Sequence, residues 1–320
     1  MTWLRIIPET TNVDFVRWRY VAFAIDALLV LITVVSIGVR GFNLGIDFEG
    51  GVLIEAKASH SIDIGNVRQK VGSHGYNDIQ VQSVGGGSCD TPVHSCVLIR
   101  ARPSPGQSEQ VTAQSITQKL GPEFSIRNSQ IIGPKVSGEL YRNAVLATII
   151  AVLAISIYVA VRFEWQYGVG ALIATGHDVF VTAGFYSLLQ LDFSLNSVAA
   201  LLLLAGYSIN DTVVVFDRIR ENRRKYKRMS LADLINLSTN QIATRTTLVS
   251  LAMALAILPL LIFGGPALFD FSAAILFGVV VGTFSSTYVA AALLLYLPPI
   301  GGRGPQQSSE RPKFTGEPSR

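Results

Sequence analysis

The sequence predicts an α-helical polytopic membrane protein with six transmembrane helices and a small α+β domain between the first two. Two observations support this prediction. Of the 320 residues, 15% are charged and 49% are hydrophobic, whereas soluble domains carry about 25% charged residues. The hydrophobic residues also fall in six blocks, and roughly 20 apolar residues are needed to cross a bilayer as a helix. A soluble enzyme, a disordered chain and a fibrous protein are therefore disfavoured.

The six blocks define the domain organisation. They comprise residues 20–39, 143–161, 168–189, 198–216, 246–263 and 271–297. The first block is expected to remain as a signal anchor, because it is longer than the roughly 7–15-residue core of a cleaved signal peptide. The chain is accordingly divided into a cytoplasmic N-terminal segment (1–19), transmembrane helix 1 (20–39), an α+β domain outside the cytoplasm (40–142), transmembrane helices 2–6 (143–297) and a disordered cytoplasmic tail (298–320).

Lys and Arg residues concentrate in alternate loops and thereby indicate the orientation. The short loops 190–197 and 264–270 contain neither residue, whereas the stretch 218–228 contains seven. Because cytoplasmic loops are enriched in Lys and Arg, both termini are predicted to be cytoplasmic. The stretch 218–228 is interpreted as a solvated juxtamembrane loop and not as a nucleic-acid site, since the topology accounts for its charge.

The residues between the first two blocks have the periodicity of a small α+β domain. Alternating and helical patterns predict four strands and two helices, in the order β-α-β-β-α-β, at residues 51–58, 64–71, 79–84, 97–101, 109–120 and 125–132. This order is typical of the ferredoxin-like arrangement.

Cys89 and Cys96 lie in the predicted loop between the two middle strands. Outside the cytoplasm, this position favours a disulfide; two unpaired thiols are the alternative. His60, His74 and His94 belong to the same domain. We interpret them as solvated loop residues and not as a metal site, because no ligand spacing recurs.

Ionisable residues inside the apolar blocks are functional candidates, because charge is costly in hydrocarbon. Asp211 lies about five residues from the cytoplasmic end of the fourth block, and Arg245 enters the next block from the same side. An isolated buried carboxylate is either protonated or needs a cation, so Arg245 is the expected partner of Asp211. Tyr207 and Ser208 lie on the helical face of Asp211, and Asn210 precedes it.

The third block contains His177 and Asp178 near its middle. Asp178 is either part of an ion-coupling site or a structural node bound by Thr175 and Thr182 on its own face. His177 is either part of the same site or a bridge between two helices. Asp26, about two turns into the first block, is expected to reach the cytoplasmic interface.

Small residues recur every four positions in the sixth block, at Gly278, Gly282, Ser286 and Ala290. Such a ridge permits close helix packing. Packing inside the bundle and packing against a partner chain both remain open.

Six motifs in the chain are similar to those of the SecF family, the smaller membrane subunits of the SecD–SecF complex of bacterial protein export, which is related to the resistance-nodulation-division (RND) transporters. The most specific is the fourth-block motif. The matching stretches are Gly45–Gly51, Gly133–Leu140, His177–Val179, Gly206–Asn222, Asn240–Thr246 and Gly282–Ser286. The resemblance spans roughly residues 15–297.

This resemblance implies an RND-like half bundle with a periplasmic domain, in the inner membrane. It implies a subunit without enzymatic activity or cofactor, which uses the proton motive force, with H⁺ as the coupling ion, to drive late steps of translocation. The implied partners are SecD, the SecYEG channel, YajC and the translocating preprotein. Asp211 and Arg245 match family positions linked to proton conduction, with Asn210, Tyr207, Ser208, His177 and Asp178 beside them.

The first motif lies outside the membrane. Gly45, Asp47, Gly50 and Gly51 are therefore assigned a structural role, and Asp47 is expected to cap or anchor the domain junction.

Three other functions are weighed against this one. A passive scaffold would not need a buried Asp and Arg in one bundle. A stand-alone RND transporter would need about twice as many segments. A hydrolase is disfavoured, since the sequence has no phosphate-binding GxxxxGK[ST] motif and no Ser-His-Asp set.

Overall fold

The computed structural model describes residues 11–72, 76–84, 89, 95–104 and 106–298. Within these residues, six helices are long and apolar enough to cross a membrane, which confirms the six predicted segments. The transmembrane helices are α1 (Arg19–Arg40), α5 (Pro134–Arg162), α6 (Trp165–Leu189), α7 (Leu195–Lys225), α8 (Leu231–Phe263) and α9 (Gly265–Phe284). Helix α9 continues as a π-helical segment (Ser285–Ala290) and a last α-helical turn. The predicted tail beyond residue 298 lies outside the described residues.

Several helices extend past the apolar blocks. Helix α5 begins at Pro134, nine residues before the predicted span, because proline is favoured in the first turn of a helix. Helices α7 and α8 contain 31 and 33 residues, or about 46 and 50 Å at 1.5 Å per residue, and so exceed the bilayer core. The interpretation of 218–228 as a loop is therefore wrong. Most of this basic stretch forms the last turns of α7, and a short turn precedes α8.

These extensions form a helical hairpin at the end of the bundle opposite the α+β domain. Asn222 Nδ2 donates hydrogen bonds to Ser238 Oγ (2.9 Å) and Gln241 Oε1 (2.8 Å). Asn240 Oδ1 accepts from the backbone N–H of Val13 at 2.8 Å. The hairpin thus fixes the N-terminal segment against α8.

The α+β domain is inserted between α1 and α5. Its elements follow the predicted order, as β2 (Gly51–Ala58), α3 (Ile64–Gly72), β3 (Tyr76–Val84), β4 (Cys96–Pro103), α4 (Glu109–Leu120) and β5 (Phe124–Ile132). The sheet has the order β3-β4-β2-β5, and all its pairs are antiparallel. This order is compatible with the ferredoxin-like arrangement.

One face of this sheet is covered and the other is open. Val52, Ile54 and Ala56 alternate along β2 and are fully buried. They pack in one apolar cluster with Ile116 and Leu120 of α4. Because successive strand residues point to opposite faces, the intervening residues face away from α3 and α4, towards the bundle.

Cys89 and Cys96 form a disulfide, as predicted. Arg127 Nη1 lies 3.2 Å from Cys89 Sγ. Among the described residues, no group of three or more His, Cys, Asp and Glu side chains is placed to hold a metal. His74 and His94 lie outside the described residues.

The ridge of small residues on the sixth segment packs inside the bundle, against α7. A Cβ atom added to Gly278 would lie 2.7 Å from Leu204 Cδ1. Ser286 Oγ lies 2.9 Å from Thr212 Oγ1, and Ala290 is fully buried. This packing decides between the two alternatives that the sequence leaves open.

Candidate functional site

Asp178 is the centre of a polar network between the membrane helices. Its carboxylate is fully buried, and its Oδ2 accepts hydrogen bonds from Ser208 Oγ (2.5 Å) and Ser285 Oγ (2.9 Å). Thr175 Oγ1 and Thr182 Oγ1 have no hydrogen-bond partner among the described residues. The alternative in which these two threonines bind Asp178 is therefore wrong. The donors come instead from α7 and from the π-helical segment.

His177 connects this network to α1. Its Nδ1 lies 3.1 Å from Asp178 Oδ1, and its Nε2 lies 3.8 Å from Asp26 Oδ1. Asp26 is only 7% exposed. The prediction that Asp26 reaches the interface is wrong, because its side chain points towards α6 inside the protein. Asp26, His177 and Asp178 thus form a carboxylate–imidazole–carboxylate series.

Asp211 is also buried, but its surroundings differ. It is 3% exposed, and its Oδ2 has no hydrogen-bond partner among the described residues. Arg245 is exposed on α8, and no ion pair joins it to Asp211. The charge of Arg245 still acts on Asp211, but the expected ion pair is not formed in this structure.

Two neighbours of Asp211 on α7 have different surroundings. Tyr207 Oη donates to Ser250 Oγ at 2.9 Å, and Ser250 Oγ lies 2.7 Å from Thr283 Oγ1. These hydroxyl groups connect α7, α8 and α9. Asn210 is exposed on the outer face of the bundle.

Sequence reasoning missed Asp26 and Ser285 as members of the site. Ser285 lies 107 residues from Asp178 in the chain, so no local spacing could have connected them. For Asp26, the available signal was an Asp in an apolar block. The prediction that Asp26 reaches the interface considered only its position along the helix. The direction of its side chain, which depends on the rotation of α1, was not considered.

The Gly45–Gly51 motif joins the α+β domain to the bundle. Residues Asn43–Leu44 (β1) pair in parallel with Asp192–Phe193 (β6), in the α6–α7 connection. Residues Ile46–Glu49 form the short helix α2. Asp47 Oδ2 accepts a hydrogen bond from the backbone N–H of Leu195 at 2.9 Å. Leu195 is the first residue of α7, so Asp47 caps this helix from a distant part of the chain.

The glycines of this motif meet conformational requirements. Gly50 and Gly51 have φ values of 77° and 136°, a region that other residues rarely adopt. A Cβ atom at Gly51 would lie 2.8 Å from the carbonyl oxygen of Ala101. Gly45 donates its backbone N–H to Phe193 O at 2.9 Å.

Ion pairs complete the junction. Arg100 Nη1 on β4 lies 2.7 Å from Asp192 Oδ1, and Arg102 pairs with Glu49 of α2. The backbone N–H of Asp192 donates to Asp270 Oδ2 at 2.9 Å. Burial raises the pKa of the Asp192 carboxyl, and the charge of Arg100 opposes that shift. The sheet is thus held against the domain end of the bundle.

Comparisons with known proteins match almost the whole chain. The family described as "Protein export membrane protein SecD/SecF, C-terminal" matches residues 112–298, and the "SecD/SecF GG Motif" matches residues 35–62. The protein translocase subunit SecF of Rhodobacter capsulatus is 39% identical over 304 residues, covering 92% of this chain and 91% of the relative. That of Cereibacter sphaeroides is 40% identical over 314 residues, covering 96% of each.

Solved structures agree with these matches. The crystal structure of SecDF from Thermus thermophilus, a translocon-associated membrane protein, matches with a TM-score of 0.77 and 34% identity over 92% of this chain. SecDF in its super-membrane-facing form matches with a TM-score of 0.66 and 35% identity. This chain spans 39% of the length of each SecDF chain. Since the first family model alone matches more than half of the chain, the chain belongs to the SecD/SecF family of protein-export membrane proteins, as a SecF-type translocase subunit.

Proposed function

We propose that this chain uses the proton motive force, together with a SecD partner, to drive late steps of polypeptide translocation through SecYEG. YajC is proposed as a further partner, and H⁺ as the coupling ion without any cofactor. The SecDF structures support a SecD partner, because this chain corresponds to 39% of one SecDF chain.

The proposed location is the inner membrane, with both termini in the cytoplasm and the α+β domain in the periplasm. The Lys and Arg distribution supports this orientation. The domain then lies on the side where the translocating polypeptide emerges, and the helical hairpin of α7 and α8 lies in the cytoplasm.

The observation that carries the proposal is the incomplete pairing of Asp211. Its carboxylate is buried in a membrane-spanning helix, and its Oδ2 accepts no hydrogen bond from a described residue. The charge of Arg245 acts on this carboxylate, but the two side chains do not form an ion pair. A purely structural carboxylate in hydrocarbon is expected to be paired. An unpaired one is suited to bind and release a proton.

Arg245 supplies the other half of the proposed switch. When its guanidinium approaches Asp211, the ionised carboxylate is favoured. When the two move apart, a carboxylate left in an apolar environment favours its protonated form. Proton binding therefore biases the helix arrangement, which is the requirement for a two-state switch. Tyr207 and the hydroxyl groups beside it are assigned to a proton path, and Asn210 to the partner-facing side of α7.

The network around Asp178 is assigned a positioning role. It connects α1, α6, α7 and the π-helical segment through Asp26, His177, Ser208 and Ser285. These contacts fix the packing of α7, on which Asp211 lies.

Asp211→Asn tests the switch, with Glu139→Gln as a control that neutralises an exposed carboxylate on α5. We expect Asp211→Asn to assemble with SecD but to lose gradient-dependent stimulation of export, while ATP-driven steps continue. The assay compares export into inverted membrane vesicles with and without a proton gradient. Replacing Na⁺ by choline should leave the stimulation unchanged.

Two results would contradict the proposal. An assembled Asp211→Asn complex that still responds to the gradient would exclude a proton relay at this residue. A complex that fails to assemble would instead indicate a static structural role.

A further inference from the structure

The open face of the sheet carries two rows of side chains that cross all four strands. The pairing register places Gln80, Arg100, Leu53 and Gln130 in one row. The second row contains Gln82, Leu98, Glu55 and Asn128. Both rows begin and end in a side-chain amide. The helices of the domain cover the opposite face, so these rows have no covering element from the domain itself.

These rows form one side of a cleft between the domain and the bundle. The cleft has a volume of about 710 Å³, within the range of ligand-binding pockets. The bundle side of the cleft has two parts. The ends of α8 and α9 are largely apolar, through Leu261, Ile262, Phe269 and Phe271. The α6–α7 connection and the start of α7 are largely polar, through Gln190, Asp192, Ser194, Asn196 and Ser197. Ile262 and Phe269 are 61% and 45% exposed. The rows of the sheet therefore lie across the cleft from a surface that includes an apolar wall, formed by the ends of α8 and α9, and the space between can hold a ligand.

The amides of this cleft retain their hydrogen-bonding capacity. The side chains of Gln80, Gln82, Asn128 and Gln130 make no hydrogen bond to another described residue, and neither does Asn196 at the start of α7. Each amide can donate and accept, as a peptide group does. Side chains of this kind can bind the backbone of an extended peptide without regard to its sequence.

The charges of the cleft argue against an anionic lipid headgroup. Arg100 supplies the positive charge among the lining residues, and it is already paired with Asp192 at 2.7 Å. Glu55 is paired with Arg127 at 3.2 Å. Phosphate recognition uses free Arg or Lys groups, which the lining does not offer.

We propose that this cleft holds an extended, unfolded segment of the translocating polypeptide. The amides of the cleft bind the backbone of that segment, and the apolar wall contacts its side chains. This inference rests on the proposed function and names the surface that contacts the substrate. Four strands about 4.8 Å apart give rows about 14 Å long, which match roughly four extended residues at about 3.4 Å each. The Arg100–Asp192 pair joins the sheet to the α6–α7 connection beside this cleft.

Site-specific photo-crosslinking tests the inference in membranes that contain the whole complex and a translocation-arrested preprotein. The photoreactive residue replaces Gln82 or Asn128 in the cleft. Control positions are Gln114 and Gln118, which are exposed on α4 on the other side of the sheet. We expect crosslinks to the preprotein from the cleft positions and none from the control positions. Crosslinks from the cleft only to SecD or to lipid would overturn the inference.

A charge variant separates direct contact from a structural role. Gln82→Glu combined with Asn128→Asp conserves shape but adds two negative charges. We expect crosslinking from position 80 to fall for an acidic arrested segment and to rise for a lysine-rich one. Equal yields for both segments would overturn direct contact.

Gradient-dependent export is measured in the same membranes. Normal export without cleft crosslinks would exclude the cleft and leave the proposed function intact. Cleft crosslinks without any gradient dependence would refute the proposed function and retain the cleft as a polypeptide site.

Discussion

At the scale of single residues, the buried polar groups of the bundle determine how the helices are rotated. Asp178 Oδ2 accepts hydrogen bonds from serines on α7 and on the π-helical segment. An unsatisfied polar group is costly in hydrocarbon, since no water can replace the lost partner. The three segments must therefore present these side chains to one another, and this requirement selects one helix rotation.

Ser208→Ala should destabilise the protein, because it removes the 2.5 Å hydrogen bond to the buried Asp178 carboxylate. We expect a loss of about 1–2 kcal/mol in the free energy of unfolding, measured by titration with SDS. Ser272→Ala is the matched control. Ser272 is fully buried, but its Oγ has no partner among the described residues, so little change is expected. Equal losses for both variants would show that the bond to Asp178 contributes nothing specific.

The residue types of this site could be predicted from sequence, but their pairing could not. The cost of charge in hydrocarbon identified His177, Asp178 and Asp211. Whether Asp178 binds Thr175 on its own face or Ser285 on another segment depends on helix rotation and packing. These are properties of the folded bundle that no local period encodes.

At the scale of elements, close contact between α1 and α6 depends on a glycine. A Cβ atom at Gly184 would lie 2.7 Å from Thr33 Cβ, which is too close for two carbon atoms. The hydroxyl group of Ser36 on α1 also lies 2.9 Å from Ser187 Oγ on α6. Helix α1 is thereby held at the distance at which Asp26 meets His177.

Gly184→Ala should separate α1 from α6, with an overpacking cost of about 1–3 kcal/mol. Gly176→Ala is an internal control on the same helix, since nothing lies within 4 Å of a Cβ atom added there. The measurement is the midpoint of thermal unfolding of the purified complex. An unchanged midpoint for Gly184→Ala would mean that α1 can move away without cost.

Asp47→Ala should weaken the start of α7 by about 0.5–2 kcal/mol, the usual cost of losing a helix cap. Asp47→Asn should retain most of the stability, because the amide oxygen can still accept from Leu195 N–H. Hydrogen exchange at the first turn of α7 distinguishes the two variants. If exchange became faster than in the unchanged protein by the same amount in both variants, Asp47 would stabilise α7 through its charge and not through the hydrogen bond.

Helix and strand positions followed from the sequence more closely than helix ends did. Alternation predicted β2 and helical spacing predicted α4, both with the observed bounds, because burial of one face imposes those periods. Hydropathy located the transmembrane spans but not the polar ends of α7 and α8. Those ends are stabilised by contacts such as Asn222 with Ser238, which hydropathy does not register.

At the scale of the whole molecule, the bundle is asymmetric in its exposed surface. One face of α7 is exposed along Leu203, Gly206, Asn210 and Asp217, although this helix is otherwise the best buried of the six. A face that contains glycine and asparagine is unusual towards lipid, since small and polar residues are typical of helix–helix interfaces.

Both termini are expected in the cytoplasm and the α+β domain on the opposite side. Single cysteines at Ser61 in the domain and at Lys227 in the α7–α8 turn test this, since the native cysteines are joined in a disulfide. An impermeant thiol reagent applied to intact cells should label position 61 and not position 227. Labelling at position 227 in intact cells would show that the topology is the reverse of the one predicted. It would then also contradict the proposed function.

The exposed face of α7 should be covered by SecD, and this defines the arrangement of the complete SecD–SecF complex. Lipid cannot satisfy the amide of Asn210, because hydrocarbon offers no hydrogen-bond partner. A partner helix can, and close approach is easiest beside Gly206. A photoreactive residue at position 210 is therefore expected to crosslink to SecD.

Ile157 of α5 is the matched control, since it is 62% exposed and its apolar side chain is compatible with lipid. A photoreactive residue at position 157 should give no crosslink to SecD. If position 210 reacts only with lipid while position 157 reacts with SecD, the partner packs on the α5 side. Asp211 would then lie away from the centre of the assembly, where a group that couples two half bundles is not expected.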